Sequence, residues 1–264
     1  MKSRPADYFS KSLEKGLRIL SLFSEEKPTW RLTEIAKEIG TNKTSTYRFV
    51  NTLIQMAFLR QDSQTKLLHI GLRSFAFSQR LTRSYDLKQI IQPFVDDAFS
   101  KYDASIDAAL FYEDALFIFY RREARQTVIF QLPTLSKDTL HCTALGKAIL
   151  AWLPEDRVND FISDLDLTKR TNNTIVKLHK LLEDLERTRE RGYSLNNEEY
   201  MLGLVSVGAP LINVTTKTSI GSVSFDFLSS QYSVKQAVTK FSGIVKALAN
   251  DISESIPTDS ISQL

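Results

Sequence analysis

The chain has 264 residues, 42% of them hydrophobic and 25% charged, with 9 Gly and 7 Pro. That is the makeup of an ordinary globular protein with room for two domains of roughly 100–200 residues, and it excludes collagen-like and disordered chains. No apolar run nears the roughly 18 residues of a membrane span, and no apolar core follows the basic residues of the first segment, so a cytoplasmic location is expected rather than secretion. A single cysteine, Cys142, rules out an intramolecular disulfide framework. With only three His beside it, a zinc site is not expected. Net charge is +3, unevenly spread: residues 1–80 carry 14 Lys and Arg against 7 Asp and Glu, leaving 20 basic and 24 acidic residues for the rest. A basic module joined to a mildly acidic one points to a polyanion as the first module's partner.

In chain order, Ser12 to Phe23 reads as a helix, with Leu13, Leu17, Leu20 and Phe23 at helical steps. A short second helix is expected with Thr33 as its cap and Ile35, Ala36 and Ile39 on its apolar face, stopping at Gly40. Thr41 or Asn42 can cap a third, Lys43 to about Met56, carrying Tyr47, Val50, Leu53 and Ile54 inward. Two short helices around a glycine have helix-turn-helix spacing. The outward face of the third holds Lys43, Thr44, Ser45, Thr46, Arg48 and Asn51, all side chains that hydrogen-bond phosphates or base edges. Residues 58–70 then read as two short strands around a polar turn from Asp62 to Lys66, a wing that offers Arg60 and Lys66 to a phosphate backbone.

Residues 71–85 suit a helical connector, and charge changes sign beyond them, placing a boundary near Arg83. A helix from Asp86 to Lys101 precedes a hairpin turning at Glu113-Asp114, and Gln126 to Leu132 suggests another strand. Further helices are expected over Ala144–Leu153, ended by Pro154, and over Ile175–Arg191. Strands follow over Leu204–Ile212 and Ser219–Phe227, then a terminal helix carrying Val234, Val238, Phe241, Val245, Leu248 and Ile252. The fold class is therefore α+β: a winged helix-turn-helix over 1–70, a linker helix over 71–85, and a domain over 86–264 with a mostly antiparallel sheet flanked by helices.

The stretch from Lys11 to Leu59, KSLEKGLRILSLF through LTEIAKEIGTNKTSTYRFVNTLIQMAFL, resembles the DNA-binding domain of the IclR (isocitrate lyase regulator) family. Asn42 followed by Lys43-Thr44-Ser45-Thr46-Tyr47-Arg48 matches the family's cap and K-S-T-x-Y-R pattern, with two hydroxyl residues exchanged. Ala57 stands where the family usually has Gly, a substitution compatible with the turn only if φ is not strongly positive. LHCTALGKAILAWLP, RGYSLNNEEYMLGLVSVGAPLIN and GSVSFDF are similar to the signature regions of its effector-binding domain. The resemblance implies a small molecule held at Thr143, Ala144 and Leu145 and, on the sheet side, at Asn196, Ser206, Ser222 and Ser224. Independently, Ser222 and Ser224 alternate correctly to share one strand face, and amides at a helix start bind carboxylates. Asn196 replaces a frequent Asp and Ser206 a frequent Cys, which removes two metal ligands and one negative charge; a carboxylate effector without a metal is expected.

Three further groups invite functional readings that the sequence does not sustain. His141-Cys142 forms no dyad if both sit on a strand, where neighbours point to opposite faces. Glu198 and Glu199 read as solvated, or pinned to an arginine. Tyr120-Arg121-Arg122 reads as a strand end rather than a second nucleic-acid patch. The expected function is a ligand-responsive, nucleoid-associated bacterial regulator that binds double-stranded operator DNA as a homodimer or homotetramer, without cofactor or membrane. The alternative is an enzyme acting on a small organic acid, fused to a DNA-binding module; the want of a base–nucleophile–orienter set argues against it.

Overall fold

The computed structural model describes residues 8–24, 27–84, 86–112, 114–124 and 137–256; the strand expected at Gln126–Leu132 lies outside them. The chain divides into two compact units, Met1–Ser84 and Tyr85–Leu264. Among the described residues, no helix is long and apolar enough to cross a membrane.

The first unit opens with α1 (Lys11–Ser21), capped by Ser10, whose hydroxyl accepts from the Leu13 amide. Its partner elements are β1 (Thr29–Trp30), α2 (Leu32–Glu38), α3 (Lys43–Gln55), β2 (Leu59–Gln61), β3 (Leu68–Ile70) and α4 (Leu72–Ser84). The helix expected as a linker, α4, belongs to this unit: Ser74 Oγ donates to the Phe58 carbonyl at 2.8 Å. β1 was not foreseen; it pairs with β3, which pairs with β2. That pairing moves the start of α2 forward, so Arg31 rather than Thr33 is its cap, and Glu34 Oε2 reaches back to accept from the Arg31 amide at 2.7 Å. The turn between α2 and α3 passes through Gly40 at φ 65, a conformation that costs a glycine nothing. Ile19, Trp30, Ile35, Ile39, Val50, Leu59 and Leu68 form the core. Leu13 and Leu17, which sequence periodicity groups with the apolar face of α1, are exposed instead; Ile19 is the residue of α1 that is buried.

The second unit contains α5 (Asp86–Tyr102), β4 (Ser105–Tyr112), β5 (Ala115–Arg122), a 3-10 helix (Lys137–Cys142), α6 (Ala144–Leu150), α7 (Glu155–Ser163), α8 (Leu178–Arg191), β6 (Ser194–Asn197), β7 (Leu204–Ile212), β8 (Ser219–Leu228) and α9 (Val234–Ser255). The sheet is fully antiparallel, in the order β5-β4-β8-β7-β6. Alternation sorts its faces. Ile106, Ala108, Val205, Val207, Val223, Phe225 and Phe227 join residues of α5 and α9 such as Ile91, Val95, Phe241 and Val245 in the larger core. The opposite face carries Asp107, Ser206, Gly208, Ser222, Ser224 and Asp226, and α6 packs on it. Gly208 permits that approach: a Cβ there would lie 2.7 Å from Ser194 Oγ and 3.0 Å from the Ala144 carbonyl.

Three expectations for this unit need correction. α6 ends at Leu150 and Pro154 caps α7, accepting from the Arg157 and Val158 amides at 2.9 Å, so the proline starts a helix as well as stopping one. α8 starts at Leu178 rather than Ile175 because Thr174 Oγ1 is tied into the preceding loop, accepting from the Arg170 and Thr171 amides and donating to the Glu199 carbonyl at 2.6 Å. His141 and Cys142 lie on the 3-10 helix, not on a strand.

Candidate nucleic-acid interface and effector pocket

α3 begins where Asn42 Oδ1 accepts from the Ser45 amide at 2.8 Å, which resolves the choice of cap. Lys43, Thr44 and Arg48 are exposed on one side of the helix, with Ser45 and Asn51 half-buried. Thr46 departs from the expected outward set. It is fully buried, its hydroxyl 2.6 Å from that of Thr41 and donating to the Asn42 carbonyl at 3.0 Å, so it locks the turn rather than facing a groove. Tyr47, expected inside, is 58% exposed and takes Thr46's place on the outer stripe. At 100° per residue, 43, 44, 47, 48 and 51 share a side, while 46, 50 and 53 share the other.

The wing follows a turn at Ala57 with φ 60, the left-handed value that the sequence reading held an alanine should avoid. Hydrogen bonds hold it there: its own amide donates to the Ile54 carbonyl at 2.8 Å, and the Arg73 amide donates to its carbonyl at 3.1 Å. At the wing tip, Asp62 accepts from the Gln64 amide, the Thr65 amide and the Thr65 hydroxyl at 2.7–3.0 Å. Chiefly through the Thr65 amide, these bonds hold its carboxyl below the usual range. This tight turn leaves Arg60 and Lys66 exposed beside the α3 stripe's own unit.

In the second unit, Thr143 caps α6, its Oγ1 accepting from the Gly146 amide at 3.1 Å, and Ser194 Oγ donates to the Ala144 carbonyl at 2.6 Å. Thr143, Ala144, Leu145, Asn196, Ser206 and Ser224 line one cavity of about 10 Å³ together with Leu204 and Asp226. Ser222 is not among its walls. Two residues before Ser224 on β8, it is fully buried, and its hydroxyl has no hydrogen-bond partner among the described residues. Asn196 Oδ1 accepts from the Glu199 and Tyr200 amides at 2.9 and 3.4 Å, so it shapes the turn after β6 as well as lining the cavity.

Sequence reading missed the enclosed charged groups of this unit. Lys147, one turn into α6 and 1% exposed, donates to Asp184 Oδ2 at 2.9 Å and Glu199 Oε1 at 2.7 Å. Glu199 is therefore a buried ion-pair partner, not a solvated carboxylate, and burial pushes its carboxyl up against the pull of Lys147. Glu198 bonds the Gly203 amide at 2.8 Å. Asp226 is the second omission: burial and the neighbouring Asp107 charge push it up to about 7. Asp107 is held by Arg121 in two bonds of 2.5 and 2.7 Å, so that arginine is a structural partner, as a strand-end reading required. Arg122 and Tyr120 both donate to Asp96 at 2.6 Å. Burial pushes the Cys142 thiol up to about 12 and His141 down, so the pair offers neither a thiolate nor an imidazolium at neutral pH.

A basic helix-turn-helix with a wing, followed by a sheet whose polar face meets a helix start, matches known proteins over nearly its whole length. Residues 12–63 match the IclR helix-turn-helix domain and residues 79–254 the bacterial transcriptional regulator IclR C-terminal domain. The chain belongs to the IclR family. It is 29% identical over 207 residues to the transcriptional repressor IclR of Escherichia coli (strain K12), covering 78% of this chain and 76% of that protein. With the HTH-type transcriptional repressor AllR of the same strain it shares 25% identity over 247 residues, 94% of this chain and 90% of that one. An IclR family regulator from Brucella abortus shares the fold at TM-score 0.74 with 20% identity, covering 96% and 95% of the two chains. An IclR homolog from Microbacterium hydrocarbonoxydans, solved in complex with 4-hydroxybenzoate, does so at 0.68 with 16% identity, covering 93% and 98%. Like these IclR relatives, the chain is a DNA-binding transcriptional regulator and not an enzyme.

Proposed function

We propose that this IclR-family protein is a cytoplasmic, nucleoid-associated regulator of a catabolic pathway whose operator binding responds to a small organic acid. The observation that carries the effector half is the convergence of Thr143, Ala144, Leu145, Asn196, Ser206 and Ser224 on one cavity between α6 and the polar sheet face. A related chain is solved with 4-hydroxybenzoate, an acid of the class in question. The cavity, at about 10 Å³, has the volume of one water, so an acid enters only as the first turn of α6 withdraws from Gly208. Such a withdrawal is a displacement of a helix by its ligand, and it supplies the two states that an effector must bind unequally.

Operator reading falls to Lys43, Thr44, Ser45, Arg48 and Asn51 on α3, with Asn42 presenting the helix start and Lys66 on the wing reaching the backbone. Tyr47 joins them. Assembly as a homodimer or homotetramer is favoured by large apolar side chains left exposed on the first unit: Leu13 and Leu17 on α1, and Leu72, Phe75 and Leu81 on α4. The test is selection of duplexes from a random-sequence pool by the purified protein, followed by titration of small organic acids against the selected duplex. A palindromic site with half-sites spaced by whole helical turns, and affinity altered by at least one acid, is expected. Binding with no sequence preference would remove the operator reading, and indifference to every acid would remove the effector reading.

A further inference from the structure

The helix α8 carries an apolar stripe and an order of charges that its own unit leaves unanswered. Its inner face, with Leu181, Leu185 and Thr188, is buried. Next to that face Leu178 is 44% exposed and Leu182 38%, and Val176, just before the helix, is 45% exposed. Leu178, Leu182, Leu185 and Arg189 fall on one stripe at 100° per residue. Beside Leu182 lies a groove of about 440 Å³, lined by Leu150 at the end of α6, Val158 on α7 and Leu185 on α8. Glu186, Arg189 and Glu190 border it on the α8 side.

Several charges of α8 stand at the wrong ends for an isolated helix. Lys177 occupies the cap position and His179 and Lys180 follow in a first turn without an acidic residue, at the end where the dipole favours negative charge. Glu186 and Glu190, four residues apart, are neighbours on one side of the later turns, where like charges repel. Arg189 is engaged elsewhere: its Nε donates to the Ala151 carbonyl at 2.7 Å. Arg191 is occupied in the same way by the Tyr193 carbonyl at 2.6 Å. Lys177, Lys180, Glu186 and Glu190 are all exposed, and among the described residues they make no ion pair.

We propose that this face of the second unit is a self-association surface, on which α8 of a second copy packs antiparallel about a two-fold axis. A two-fold contact uses the same patch on both copies, so one patch must supply both complements. The α8 face does so twice: it holds exposed leucines next to a groove, and a basic start next to an acidic pair. Antiparallel packing sets Leu178 and Leu182 of each copy over the groove of the other, and Lys177 and Lys180 of each beside the other's Glu186 and Glu190. A parallel arrangement would set acid beside acid. This rests on the assembly reading above: the apolar faces of the first unit form the dimer, and the α8 face joins two dimers into a tetramer. One helix face and a groove are a small contact beside the roughly 800 Å² per partner of a standard interface, so dimers join reversibly at micromolar concentration.

The experiment is sedimentation velocity of the full-length protein across the micromolar range, with thermal melting of each variant as a check on the fold. A reversible dimer–tetramer equilibrium is expected. Leu182→Lys is expected to weaken it by about tenfold or more and to leave the dimer intact. Glu186→Lys with Glu190→Lys sets base beside base and weakens it likewise. Adding Lys177→Glu and Lys180→Glu to that same chain reverses both halves of the contact, and is expected to bring the affinity back to within about threefold of wild type. Both pairs of changes suit the dipole of α8, so loss of the tetramer by unfolding is not expected. Tetramers that persist in Leu182→Lys, or a charge reversal that the second pair does not rescue, would overturn the α8 face and leave the first-unit dimer standing. A wild-type protein that stays dimeric overturns it as well, and leaves the groove to a different partner. If the wild type stays monomeric, the assembly reading falls too.

Discussion

The two units handle polar side chains in opposite ways. The first displays them: Lys43, Thr44 and Arg48 stand exposed on α3, with Arg60 and Lys66 on the wing. The second encloses them: Lys147, Asn196, Ser206, Ser224 and Asp226 are each under one-tenth exposed. A surface that meets DNA gains from charges in water, because phosphate contacts need only position and sign. A pocket for a small molecule gains from dry, aimed groups, whose interactions are stronger and whose mismatches cost more. The difference teaches where each unit is vulnerable. Substitution in the first changes binding and spares the fold; substitution in the second endangers the fold itself.

That contrast is sharpest at Lys147. Lys147→Met leaves Glu199 buried without its cation and Asp184 with only Arg191 at 3.8 Å, and about 3–5 kcal/mol of stability is expected to be lost from the second unit. Urea unfolding measures it; a loss below about 1 kcal/mol would mean that the cluster does not hold α6 to α8. Next in size, Arg48→Ala is expected to weaken operator binding by about 1–3 kcal/mol, with unfolding midpoint and acid affinity unchanged. Unaltered operator binding would show that the groove is read elsewhere. The smallest change runs the other way. Ala57→Gly relieves a left-handed alanine at φ 60 and is expected to stabilise the first unit by about 1 kcal/mol. A fall in its melting temperature would mean that the alanine methyl contributes more than the backbone conformation costs.

Much of the first unit was legible because helices report themselves through spacing and caps. Asn42, Gly40 and the polar start of α3 sit where sequence alone places them. The differences there arise where side-chain type and helix angle disagree: the ring of Tyr47 suggests an inward place and the hydroxyl of Thr46 an outward one, yet the 100° step puts Thr46 with Val50. In the second unit, alternation along β8 showed Ser222 and Ser224 on one face and extended equally to Asp226, so that residue was within reach of the same reasoning. Which of these serines meets the cavity was not, because that depends on where the start of α6 comes to rest on the sheet, and it borders the cavity with Ser224 and not with Ser222. Lys147, Asp184 and Glu199 come from three separate elements, and no local pattern pairs residues 37 and 52 positions apart.

By itself, the sequence determined the division into a basic helical module and an α+β module, the polar stripe of α3, and the polar face of the sheet, since each follows from periodicities of a few residues. Only the tertiary structure decided which side chains are charged partners and which are walls of the pocket. Burial sets that: desolvation makes Lys147 need Glu199, lifts Asp226 to about 7 and silences Cys142, and desolvation exists only once distant segments have closed over one another.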